Sequence, residues 1–194
     1  MTFPLNTLGL SHQFIASHVR EGAFCIDATC GRGRDTLFLA TLCGKSGKVL
    51  AFDIQNEAVE STEKLLKENG VENVEVYLDS HANLDSYAEK ESVDAIMFNF
   101  GWLPGGDHHV FSRPETSIEA IRKGLDLLKP GGVMSLCIYH GKETGTAEKD
   151  ALLPFLETVD PQIFTVITAF FSNRKGDVPI PVFIIKDQEK RKPA

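Results

Sequence analysis

No apolar run in the 194-residue chain approaches the roughly 20 residues that a membrane-spanning helix requires, so no membrane segment is expected. Cysteine is scarce. Cys25, Cys30, Cys43 and Cys137 include no CxxC pair, and two of them sit in the apolar runs FCIDA and MSLCIY. They read as free, buried thiols of a reducing compartment. The start, Met1 to Leu10, lacks the basic and apolar regions of a signal peptide, and a cytoplasmic protein is expected. Cations are in deficit, with 20 Lys and Arg against 27 Asp and Glu and a net charge of -7. That balance excludes a protein that coats nucleic acid non-specifically, because phosphate affinity needs neutralising cations. It leaves room for a local basic face. There is no internal repeat, no low-complexity tract and no linker that would divide the chain. One domain over residues 1–194 is expected, with an N-terminal helix through Arg20 and a frayed polar tail from Asp187.

What is present alternates. Apolar positions at Leu5, Leu8, Ile15 and Val19 predict the first helix. Strand-like runs follow at Phe24 to Ala28, Gly47 to Ile54, Val74 to Leu78, Val93 to Phe98, Val133 to Tyr139, Ile163 to Phe171 and Pro181 to Lys186. Helical patterns fill the gaps at Thr36 to Cys43, Asn56 to Asn69 and Pro114 to Leu128, with a weaker one at Glu148 to Val159 interrupted by Pro154. Lys129-Pro130-Gly131-Gly132 reads as a stop. Strands alternating with helices make an α/β domain with a largely parallel sheet. The short link between the last two strands makes that pair antiparallel.

The segment Asp27-Ala28-Thr29-Cys30-Gly31-Arg32-Gly33 joins the first strand to a helix. Glycines there let backbone approach a ligand, and the helix start offers unpaired N–H groups. Asp53 ends the second strand 20 residues after Gly33, where a carboxylate can grip ribose hydroxyls. Thr36 stands where a dinucleotide fingerprint has its third glycine, and Asp27 would repel a pyrophosphate. Negative charge favours a cationic sulfonium or ammonium group, so S-adenosylmethionine is expected rather than NAD. Asp35 and Gln55 flank these positions and join the expected cofactor set. After the third strand, His81 is placed to flank adenine while Asp79 accepts from its exocyclic amine, with Ser80 between them; the other reading is that these residues cap the next helix.

The run DATCGRGRDT over Asp27 to Thr36 resembles the opening motif of class I S-adenosylmethionine-dependent methyltransferases, and most closely a small family labelled rRNA methylases. Further matches are Asp79-Ser80-His81, the block Asn99-Phe100-Gly101-Trp102-Leu103-Pro104-Gly105-Gly106-Asp107, and Tyr139-His140-Gly141. Gly145, Glu148, Asn173, Pro179 and Pro181 also agree. Arg32, Trp102 and Lys142 depart from the Asn, Tyr and His common in the family. The resemblance implies a Rossmann-like fold: a seven-stranded, mostly parallel sheet with an antiparallel C-terminal strand and helices on both faces. It also implies methylation of the aminomethyl nitrogen of 5-aminomethyl-2-thiouridine at the tRNA wobble position. The anticodon stem-loop would then be the partner, and size and family together point to a homodimer.

Asn99 follows the fourth strand, where open α/β sheets place their chemistry. An amide oxygen can hold amine hydrogens and aim the nitrogen lone pair without full charge, as in the NPPY motifs of amino-methyltransferases; a strand-end cap is the other reading. Trp102, the only tryptophan, either stacks on a flipped base or packs on the sheet end. Asp107 or His108 could take the released proton. With His109 they show no third ligand spacing, and no metal is expected. Tyr139 and His140 end the fifth strand and would line the substrate pocket. Arg34, Arg113, Lys142, Asn173, Arg174 and Lys175 are the candidate basic face for RNA. An rRNA or small-amine methyltransferase, and a non-catalytic dinucleotide-binding module, remain the alternatives.

Overall fold

The structure, a computed structural model, describes residues 3–101 and 113–188, apart from the side chains of 142–145. Seven strands alternate with helices: α1 (Thr7–His18), β1 (Phe24–Asp27), α2 (Arg34–Cys43), β2 (Lys48–Asp53), α3 (Asn56–Glu68), β3 (Val74–Leu78), a 3-10 turn (His81–Ser86), β4 (Val93–Phe100), α4 (Pro114–Leu127), β5 (Leu128–Ile138), α5 (Lys142–Glu157), β6 (Phe164–Thr168) and β7 (Ile180–Lys186). They form one sheet in the order β3-β2-β1-β4-β5-β7-β6. β1 to β5 pair in parallel, and β7 runs antiparallel to both β5 and β6. The expected Rossmann-like α/β architecture is the one observed.

Strand residues alternate between two cores. Ala95 and Met97 of β4 join Cys25, Val49 and Val133 beneath Ile15 of α1 and Leu39 of α2. Ile96, Phe98 and Phe100 point the other way, to Ile26, Leu50 and Phe52, where Ile121 of α4 and Leu152 of α5 cover them. Helices therefore lie on both faces, and every central strand is buried on both sides, which is why these runs are continuously apolar. Phe52, Phe98 and Phe100 are fully buried, and truncating any of them to Ala would cost about 3–5 kcal/mol.

Local chemistry sets the helix ends. Asn6 caps α1 by accepting the Gly9 N–H at 2.8 Å. Pro114 opens α4, where its missing N–H costs nothing. Gly70, at φ 64°, follows the end of α3 in a left-handed turn.

Two boundaries differ from the sequence reading by more than three residues. β5 begins at Leu128, which pairs with Val93, and the next register pair is Ala95 with Val133. Residues 129–132 are thus extra length looped out of a continuing strand rather than a stop before one. Gly131 takes φ 80°, and a Cβ at Gly132 would lie 2.9 Å from the Val93 carbonyl, so the pair of glycines is what that bulge requires. α5 starts at Lys142 and runs through Pro154. Pro154 removes one helical hydrogen bond, but buried Leu152 and Leu156 on either side hold both segments to the core.

Candidate active-site cavity

A cavity of about 1150 Å³ opens at the carboxyl ends of the strands, beside the reversal of strand order between β1 and β4. Crossover connections leave to opposite faces at that point and leave a crevice between them. The segments after β1 and β3 contribute Thr29 and His81, the ends of β2 and β4 contribute Asp53 and Asn99, and Tyr139 follows β5.

The turn after β1 is built around two carboxylates. Asp27 is fully buried; its Oδ2 accepts the Thr36 hydroxyl at 2.6 Å and its Oδ1 the Thr29 N–H at 3.2 Å. Burial, followed by repulsion from Asp35, pushes its carboxyl up to about 7. Asp53 is the accessible acid. Its Oδ2 accepts the Gly31 N–H at 3.1 Å and its Oδ1 the Gln55 N–H at 3.0 Å, and burial raises its carboxyl pKa as well. A carboxylate has about four lone-pair positions. Two backbone bonds leave the rest for a ligand's hydroxyls. Beside it Ile54 is exposed in the cavity wall and can cover a flat ring.

Four of the expected cofactor residues of this turn are engaged within the protein. Asp27 and Thr36 lie beneath the cavity and hold each other, so they shape the loop rather than touch a ligand. Gly31 gives its N–H to Asp53, so that donor is already used. Gly33, at φ 78°, makes room for a helix and not for a ligand: a Cβ there would lie 2.9 Å from the Thr62 Cα of α3. Gly31 has φ 51°, and its carbonyl accepts the Thr62 hydroxyl at 3.3 Å.

Asn99 is held on two sides. Its backbone N–H reaches Thr29 Oγ1 at 2.7 Å, and its Nδ2 donates to Asp35 Oδ2. Its Oδ1 is buried with no partner among the described residues. Asp35 also pairs with His12 Nε2 at 2.7 Å. His12 escaped the sequence reading, although it lies one turn after Leu8 of the cavity wall on α1.

His81 hydrogen-bonds the Ala28 backbone, and burial lowers its pKa to about 4, so its ring is neutral at pH 7. The ring sits edge-on to Phe98 and Phe100, and Nε2 is buried without a partner among the described residues. Asp79 lines the cavity but accepts from Ser80 N–H, Asn83 Nδ2 and the Tyr87 hydroxyl at 2.7–2.8 Å. Ser80 caps the 3-10 turn through the Ala82 N–H, so the capping reading holds for it. His81 Nε2 is the buried acceptor without a partner there among the described residues, and Asp79 keeps one lone-pair position at the cavity.

Tyr139 is 39% exposed at the cavity, and burial together with Cys137 and Asp35 raises its phenol pKa. Its ring packs over Gly101. Arg34 and Arg113 supply positive charge to the wall. The remaining basic candidates are not brought to it. Arg174 bonds the Leu5 carbonyl and stacks on Phe171 at 4.0 Å, while Asn173 is exposed outside the cavity lining. His140 gives Nε2 to the Val178 carbonyl at 2.7 Å, which makes it a structural tie between β5 and the link before β7. Trp102, Asp107 and His108 lie outside the described residues, as does the side chain of Lys142.

Known proteins share this architecture. The chain is 34% identical to the "tRNA (mnm(5)s(2)U34)-methyltransferase, chloroplastic" of Arabidopsis thaliana over 75% of its own residues and 57% of that protein, so it spans a little over half of that relative. A crystal structure from Clostridium thermocellum described as a "putative rRNA-methylase" is 44% identical, with a TM-score of 0.92 over 94% of this chain and 98% of that one. A "putative methyltransferase" of Streptococcus mutans in complex with SAH is 36% identical, with a TM-score of 0.86 over 94% and 99%. Residues 49–185 match the family described as "Putative rRNA methylase". With the match spanning most of its length, the chain belongs to that rRNA methylase family.

Proposed function

We propose that the chain is an S-adenosylmethionine-dependent RNA methyltransferase acting on the aminomethyl nitrogen of 5-aminomethyl-2-thiouridine at the tRNA wobble position. One observation carries the reading: a single cavity is lined by both the Asp53 carboxylate, with lone pairs left for a sugar, and Asn99, whose buried amide oxygen has no partner among the described residues. The Streptococcus mutans relative in complex with SAH supports the cofactor, and the Arabidopsis relative supports the nucleoside.

The residues fit such a cofactor. Asp53 accepts the ribose hydroxyls, Ile54 covers one face of the base, and the neutral His81 offers Nε2 to an exocyclic amine. Asp35 beside the cavity makes the neighbourhood negative, which suits a cationic sulfur. When bound, S-adenosylmethionine supplies a methyl group that a neutral amine nitrogen takes in line, the C–S bond electrons staying on sulfur as SAH. Asn99 Oδ1 accepts an N–H of that amine and points its lone pair along the line of attack; most of the acceleration is positioning. The methylated nitrogen is left with one proton too many, which it releases to solvent. Arg34 and Arg113 meet RNA phosphate at the rim, a local basic edge on an acidic chain.

The family description favours rRNA as the runner-up substrate. Purified protein is incubated with S-adenosylmethionine and either hypomodified tRNA or unmethylated rRNA, and nucleosides are resolved by mass spectrometry. A gain of one methyl on the aminomethyl nucleoside supports the proposal. Methylation of rRNA alone rejects its substrate half. Calorimetry in which NADH binds and S-adenosylmethionine does not rejects it altogether.

A further inference from the structure

His12 lies outside every motif that pointed to the site, yet its ring is the far end of a hydrogen-bonded chain that reaches Asn99. Nε2 of His12 meets Asp35 Oδ1 at 2.7 Å, and Asp35 Oδ2 accepts from Asn99 Nδ2. The ring is fixed by its surroundings: it stacks on Phe38 with centroids 4.0 Å apart and planes 17° from parallel, and Phe3 meets it edge-on at 6.0 Å. α1 is tied down on the same side, Ser11 contacting Cys137 and Thr7 bonding the Pro179 carbonyl. The Nε2–H of His12 on Oδ1 fixes the rotation of the Asp35 carboxylate and so holds Oδ2 towards Asn99. A carboxylate accepting on Oδ2 must face the NH2 end of the Asn99 amide. The Oδ1 end is then turned away from Asp35, and it is the end with no partner among the described residues.

We propose that His12 is a positioning residue which, through Asp35, sets the polarity of the Asn99 side chain so that its oxygen and not its NH2 meets the substrate amine. An amide turned by 180° would present two N–H groups to the amine hydrogens and repel them. Asp27, Cys137 and Tyr139 also act on or around Asp35, but none of them occupies Oδ1. The consequence for rate rests on the methyl-transfer reading; the polarity itself does not.

His12→Phe keeps the ring packing and removes the donor, while His12→Gln keeps a donor and loses the stacking. In ligand-free, ¹⁵N-labelled protein, the Asn99 side-chain NH2 signals, assigned by their absence in Asn99→Asp, are expected to exchange slowly with water in the wild type and in His12→Gln. They should exchange fast in His12→Phe. Equal exchange in wild type and His12→Phe overturns the proposal whatever the enzyme does. With hypomodified tRNA, His12→Phe should lower kcat by about 10- to 100-fold, the size expected of a misaligned reacting group, with KM for tRNA and affinity for S-adenosylmethionine unchanged. His12→Gln should recover most of the loss. A fall in cofactor affinity, or the same kcat loss in both variants, would mean that His12 only supports the fold. Should His12→Phe not fold, Asp35→Asn takes its place, since its NH2 can face and turn the Asn99 amide; wild-type kcat in that variant also overturns the proposal. A wild type inactive on every RNA, with the exchange pattern as expected, removes the methyl-transfer reading and leaves the polarity relay in place.

Discussion

Asp53 accepts the backbone N–H of Gly31 across 3.1 Å, so the acid at the end of β2 holds the glycine turn that leads out of β1. The two parts of the nucleotide-binding pattern, 22 residues apart, are physically one unit. Asp53 orders the loop with one set of lone pairs and keeps another set for a ligand.

Asp53→Asn tests that division of labour. One amide oxygen cannot serve both backbone donors and a ribose. Hydrogen bonds to charged groups contribute about 1.5–3 kcal/mol, so S-adenosylmethionine affinity should fall about 10- to 100-fold by calorimetry. Unchanged affinity would remove Asp53 from the binding site.

Asn99→Ala removes both the bond to Asp35 and the oxygen without a partner among the described residues. Cofactor affinity should persist while turnover of hypomodified tRNA falls by about 100-fold or more, the scale seen when one oriented polar group is removed from a reacting centre. Full turnover in this variant would exclude Asn99 from the chemistry.

Gly33→Ala places a side chain at φ 78° and against the backbone of Thr62. The loss should be about 2–3 kcal/mol, read as a lower denaturant midpoint at unchanged slope. A loss within about 0.5 kcal/mol, the range of ordinary surface substitutions, would show that α3 does not press on this turn.

Two buried groups give stability opposite dependences on pH. Asp27 is raised from its ordinary 3.8 to about 7, so the fold holds a proton that the unfolded chain has released. Its contribution is complete below pH 3.8 and is lost as pH rises through about 7. His81 is lowered from 6.5 to about 4, so its contribution is complete above pH 6.5 and is lost as pH falls through about 4. Melting temperatures should therefore show Asp27→Asn gaining on the wild type as pH rises from 4 to 7, and His81→Gln gaining as pH falls from 6.5 to 4. A difference that stays constant across pH in either variant would contradict the burial assigned to that side chain.

Much of the fold was legible because its signals are local. The runs from Phe24, Lys48 and Val93 are apolar on both faces, and the intervening helices have their own periodicity. The errors have a common cause. Pro130-Gly131-Gly132 and Pro154 are breakers by propensity, yet β5 continues past the first because Leu128 pairs with Val93, and α5 continues past the second because Leu152 and Leu156 are buried. In both places long-range packing outweighs a local cost of a few kcal/mol. The site divides in the same way. Asp53 and Asn99 were visible as acids and amides at strand ends. His140 and Arg174 look equally functional as residue types, but the Val178 and Leu5 carbonyls claim them.

From the chain of amino acids alone come the alternation of strands and helices, the glycine turn and the chemical types gathered after β1, β2 and β4, because each depends on neighbours within a few positions. Tertiary structure alone decided which of those groups are already engaged. Asp27 and Thr36 occupy each other, Gly33 yields to Thr62, and His12 reaches Asp35 from a helix on another part of the sheet. Such pairings follow from strand order and from the face to which each crossover returns, and no window of sequence contains either.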